Sequence, residues 1–137
     1  MEANTRTEVI FFDPDQHTKD TLKSFKNFCT RFQLRYEAQF PDPPKTAMDS
    51  AIQRWVLGNT TTENPKPVCS VARFDQMKNE WKEQDKVKKV LGIFSSPRMY
   101  ADWETALPDE QQRNNATWTE FKAAIEVFFT NLQKTLH

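Results

Sequence analysis

Glycine is nearly missing. The chain has 2 among 137 residues, where average usage of about 7% would supply roughly nine. Architectures built from β-hairpins use glycine in their tight turns, so this deficit argues against an all-β chain. Cysteine is as sparse: Cys29 and Cys69 have no neighbour at metal-ligand spacing, which excludes a zinc finger or ribbon. Isolated thiols of this kind read as small buried hydrophobes, and a Cys29–Cys69 bridge is left open. The two histidines, His17 and His137, have no Ser, Cys or carboxylate partner at motif spacing. There is no Gly-rich phosphate loop, no H-E-x-x-H and no calcium loop. The expectation is a chain that is not an enzyme and takes no cofactor or metal.

Charge of one sign is missing too. Lys and Arg number 19 against 19 Asp and Glu, and the isoelectric point is near 6.7. A dedicated nucleic-acid binder carries a net basic footprint, and none is visible. The local run "KVKK" at 86–89 reads as the solvated edge of a helix. No apolar run approaches the ~20 residues of a membrane span, and mean hydropathy is −0.79. The start, "MEANTRTEVIFF", lacks a basic head and apolar stretch of the secretory kind. An intracellular, cytoplasmic chain with no membrane partner is expected. The sequons at Asn59 and Asn115 then mark only polar loops.

What is abundant is aromatic: 11 Phe, 4 Trp and 2 Tyr. Each such side chain contributes roughly 1.5–3 kcal/mol when buried, enough for one core in a single domain spanning 1–137. Leu22, Phe25, Phe28, Phe32 and Tyr36 recur at helical spacing, predicting a long helix from Asp13-Pro14 to about residue 39. Met48, Ala51, Ile52, Trp55 and Val56 predict a second from about Thr46, stopped by Gly58. Residues 59–67, "NTTTENPKP", read as an exposed internal loop. Two segments look extended, "TEVIFF" (7–12) and "VCSVARF" (68–74), and are expected to pair in a small sheet.

Shorter helices follow. Phe74, Met77 and Trp81 mark one; Val87, Val90, Leu91 and Phe94 mark the next. Ser96-Pro97 places an N-cap and a first-turn proline before a helix carrying Tyr100, Trp103 and Leu107. This cap explains the Ser-Pro-Arg run without a kinase. Pro108 ends that helix, "PDEQQRNNA" reads as a loop, and Thr117 with Glu120 forms a capping box. The last helix then carries Phe121, Ala124, Ile125, Phe128, Phe129, Leu132 and Leu136 on one face. The predicted fold is mainly α: a compact bundle of five to six helices with a short N-terminal strand or two-stranded sheet.

The runs "QDKVKKVLGIFSSPRMYADWETALP" and "TWTEFKAAIEVFF" together resemble the capsid region of Ty3/gypsy-type retrotransposon Gag polyproteins, of which Arc-like lobes are domesticated relatives. Asp85, Lys88, Leu91, Trp103, Leu107, Trp118, Phe121, Ile125 and Phe129 stand at that pattern's places. The likeness covers about residues 74–130 and implies the N-terminal or sole capsid lobe, a structural domain that self-associates into a shell around RNA. Trp103, Leu107, Trp118, Phe121, Ile125 and Phe129 are then core residues. The resemblance brings no Cys-Cys-His-Cys knuckle, so RNA contact falls to segments outside this chain. An alternative reading is a helical module docking a partner peptide against Trp55, Trp81 or Tyr100. A small enzyme with an unrecognised site around His17 is a third.

Overall fold

The computed structural model describes residues 10–16, 19–59 and 69–135. Six helices make up the described chain: α1 (Thr21–Gln39), α2 (Lys45–Asn59), α3 (Val71–Gly92), α4 (Pro97–Ala106), α5 (Glu110–Asn114) and α6 (Trp118–Thr135). The fold is mainly α. α6 is central, packing on α1, α3 and α4, while α2 leans on α3. His17, His137, Leu136 and positions 60–67 of the anticipated loop lie outside the described residues.

The aromatic stripes form one continuous interior. Phe25, Phe28, Phe32 and Tyr36 of α1 meet Trp118, Phe121, Ile125 and Phe129 of α6, with Met99 and Trp103 of α4 closing the third side. Trp103 meets Phe121 edge to face at 4.8 Å and Phe32 meets Trp118 at 4.9 Å, spacings at which ring quadrupoles add to area burial. Leu107 packs against this core part-buried, capping the C-terminus of α4.

Several boundaries differ from the sequence reading. The long first helix does not begin at Pro14. Pro14–Gln16 is a single 3-10 turn, and α1 starts at Thr21. The anticipated two-stranded sheet is absent among the described residues. Ser70 instead caps α3, its Oγ accepting from the Arg73 N–H at 3.0 Å, so 71–74 is helix. Phe12 pairs with the α3–α4 connection: its N–H donates to Phe94 O and its carbonyl accepts from the Ser96 N–H, one parallel bridge. That placement drives the Phe12 ring between Phe25, Phe28 and Phe129.

The two short helices expected across 74–94 are one helix of 22 residues, with Phe94 beyond its end. Asp85 therefore sits mid-helix and not at a helix start. Gly58 lies inside α2, which runs on to Asn59. The loop after Pro108 holds a five-residue helix: Asp109 caps it through the Gln112 N–H at 3.1 Å. The Arg113 guanidinium ties it back by donating to the Leu107 and Pro108 carbonyls at 2.7 and 2.9 Å.

Other local signals act as read. Ser96 occupies the N-cap of α4 with Pro97 in the first turn, although its hydroxyl donates to Asp13 Oδ1 and not to its own helix. The capping box is complete: the Thr117 N–H donates to Glu120 Oε1 at 2.9 Å and the Glu120 N–H to Thr117 Oγ1 at 3.1 Å. Thr117→Ala is expected to lower stability by about 1 kcal/mol, with Thr117→Ser nearly neutral. Urea unfolding followed by circular dichroism measures it, and an alanine variant as stable as the parent would refute the cap's role.

Candidate interaction surfaces on the third helix

α3 has two sides of different character. Toward α1 it presents a paired, largely dry seam. The Tyr36 hydroxyl donates to Asp85 Oδ2 at 2.7 Å, while Lys89 reaches Asp85 Oδ1 at 3.5 Å. Lys82 donates to Glu37 Oε1 at 2.7 Å and to the Pro41 carbonyl at 3.1 Å. The ammonium groups of Lys82 and Lys86 also lie over the Tyr36 ring, and that of Lys89 over Phe40 at 4.9 Å, where a cation is attracted by the π face. Burial, the hydrogen bond to Asp85 and the nearby charges of Asp85 and Glu37 all push the Tyr36 phenol above its usual value of 10, so it remains a donor. The "KVKK" run is thus only partly a solvated edge: Lys86 and Lys89 are held in the seam and Lys88 alone is fully exposed.

Away from α1, the same helix floors a line of linked recesses. One, about 500 Å³, lies between α3, α4 and α5, with Val87, Leu91, Trp103 and Ala116 as its apolar base and Tyr100 at its rim. Gln84 and Lys88 are shared with a recess of about 170 Å³ beside Trp81 and Arg54. Arg54 is shared in turn with a cleft of about 380 Å³ between α2 and α3, where Trp55 and Arg73 face each other. Trp55, Trp81 and Tyr100, predicted as partner-facing from sequence, therefore lie along one trough. Tyr100 is 47% exposed; the two tryptophans are half-buried. Arg54, Arg73 and Lys88 also lie in this trough; of these only Lys88 stood out in the sequence, as part of the capsid-like pattern and not as a partner-facing residue.

The remaining candidates are interior. Trp103, Trp118, Phe121, Ile125 and Phe129 are buried, each no more than 2% exposed, with Trp103 alone of them also reaching the base of the recess under Tyr100. Trp118 Nε1 donates to Gln33 Oε1 at 2.7 Å, which also accepts from Lys122; a buried indole is thereby satisfied. Cys29 and Cys69 are both free, and burial pushes the Cys29 thiol up to about 12, a poor nucleophile. Asp102, buried beside Arg98, has its carboxyl raised above the ordinary range by desolvation, with Arg98 opposing the shift. Among the described residues no group of His, Cys, Asp and Glu could hold a metal, and no helix is long and apolar enough to cross a membrane. Comparison with protein-family models, curated proteins and solved structures yields no match.

Proposed function

We propose that the chain is the self-assembling capsid lobe of a Ty3/gypsy-type Gag or Gag-derived protein, acting as a structural shell component around RNA in intracellular particles. The observation that carries this reading is the division of labour among its hydrophobic residues. The side chains at the pattern's Trp, Phe and Ile positions all turn inward and close a lobe on themselves. Large apolar groups remain outside on several separate elements: Leu34 on α1, Leu57 on α2, Val71 on α3 and Val127 on α6, each at least 60% exposed. Scattered small contacts of this sort suit a lattice, where many weak symmetric interfaces add through multivalency. No step of this function needs catalysis.

Light scattering against concentration, with negative-stain electron microscopy of the same samples, tests assembly. Particles or ordered sheets are the expected result. A protein that stays monomeric at high concentration and high salt, even with the remainder of its polyprotein supplied, would remove the proposal. A second reading, docking of a partner peptide, is favoured by the apolar base of the recess under Tyr100. It predicts one recovered cellular partner whose binding is lost in Tyr100→Ala.

A further inference from the structure

We infer that the trough along α3 is a track for single-stranded RNA, a contact within this chain itself and additional to any made by segments outside it. Of the basic residues of α3, Lys78, Lys82, Lys86 and Lys89 each hold a carboxylate. Arg73 and Lys88 do not: among the described residues neither has a carboxylate within ion-pair distance, and the same is true of Arg54 across the cleft. On α3 the cations without a carboxylate are those in the trough.

Arg73 is the most telling of the three. Its Nε is buried and has no hydrogen-bond partner, a state that costs free energy until an acceptor arrives. It also sits in the first turn of α3, where no acidic side chain is present and the helix terminus is already positive. A phosphate oxygen beside the guanidinium would complement its charge and the positive helix terminus. Of the carboxylates that border the trough, Asp85 is held by Tyr36 and Lys89, while Glu80 accepts from the neutral Gln76 amide and keeps its charge, against the two arginines of its cleft.

Aromatic rings interleave with these cations. Trp55 lies under the Arg73 guanidinium at 5.6 Å, Trp81 lies in the middle recess and Tyr100 at the far rim. From Arg73 to Lys88 the helix rises about 22 Å, room for several nucleotides. Cations tracking a backbone beside spaced aromatic faces are how sequence-tolerant single-strand sites work, each stacked base contributing about 1–3 kcal/mol. A duplex would hide the bases from those faces. Charge complementarity therefore selects RNA for this surface. The overall neutrality of the chain conceals the site because the α1-facing lysines and their acids cancel.

The test is fluorescence anisotropy of a labelled oligouridylate of about twelve nucleotides with the whole protein, from about 50 to 200 mM salt. Saturable binding is expected, with a log–log salt slope of about −2 for three phosphates on a single strand. Arg54→Gln, Arg73→Gln and Lys88→Gln should each reduce the slope by about 0.7. Trp81→Ala and Tyr100→Ala should weaken binding about five-fold or more at unchanged slope. Arg54 and Lys88 are exposed, so their variants keep the test valid if Arg73→Gln fails to fold.

Absence of saturation below about 100 μM at low salt overturns the inference. So does equal affinity for duplex RNA of the same length, or binding that survives the trough variants and disappears in Lys23→Gln/Lys26→Gln on the outer face of α1. RNA binding without particle formation would keep this inference and remove the shell; particles without RNA binding would do the reverse.

Discussion

Replacing Phe121 by Ala is expected to lower the unfolding free energy by about 3–5 kcal/mol. Phe121 is fully buried, with Trp103 at 4.8 Å, Trp118 at 5.5 Å and Phe25 at 6.2 Å around its ring. Three rigid aromatic neighbours cannot collapse into the vacated space, so the cavity term adds to the lost transfer free energy. Domain stabilities are about 5–15 kcal/mol, and a loss of this size leaves a large unfolded fraction. Val127→Ala, on the exposed side of the same helix, should stay within about 0.5 kcal/mol. Urea denaturation of the pair measures the contrast. A loss below about 1 kcal/mol at Phe121 would mean that the ring lines an open site and is not part of the packing.

The second large effect concerns the polar seam. Tyr36→Phe removes the donor at 2.7 Å from Asp85 Oδ2 and leaves a buried carboxylate with only the 3.5 Å contact to Lys89. The expected loss is about 1–3 kcal/mol, the penalty of an unsatisfied buried acceptor. Tyr36→Phe combined with Asp85→Leu should lose less than the two single changes added together, because no orphaned partner remains. The seam also carries a pH signature. The folded-state pKa of Tyr36 lies above the unfolded value of 10, so its contribution is complete below pH 10 and is lost as pH rises beyond it. The phenylalanine variant should not show that alkaline decline. A strictly additive cycle, with an alkaline profile identical in parent and variant, would argue that the pair is not coupled.

That seam is also where sequence reading went astray. The apolar residues of α3 run Phe74, Met77, Trp81 and then pause until Val87. The pause reads as a helix break when only hydrophobic periodicity is followed. In the structure, Lys82, Asp85, Lys86 and Lys89 carry the inward face across the gap, their stems and charges set against Tyr36, Glu37 and Phe40. Ser70 was the local signal for where this helix starts, its hydroxyl capping the Arg73 N–H. Similarly, Asp109 and Glu110 announced the short α5. Trp55, Trp81 and Tyr100 were legible as partner-facing aromatics, but the arginines and the lysine beside them were not. Lys86 and Lys89 each find an acid three or four residues back on α3, Glu83 and Asp85, whereas Lys88 has Gln84 one turn before it.

The sequence by itself determined the helical class, the capping box at Thr117, the start of α4 at Ser96-Pro97 and the inward stripes of α1 and α6. These follow from interactions within one or two turns, whose partners are a few residues apart in the chain. Tertiary structure alone decided that Phe12 pairs beside Ser95, that α3 is unbroken, and that Lys78 and Lys82 find Asp42 and Glu37. Those outcomes depend on groups brought together from distant parts of the chain, as Tyr36 and Asp85 are across 49 residues. Pairs such as Lys86 with Glu83 and Lys89 with Asp85 are local, whereas Lys82 is paired only because folding brings Glu37 to 2.7 Å from its ammonium, and no window of local sequence contains that contact.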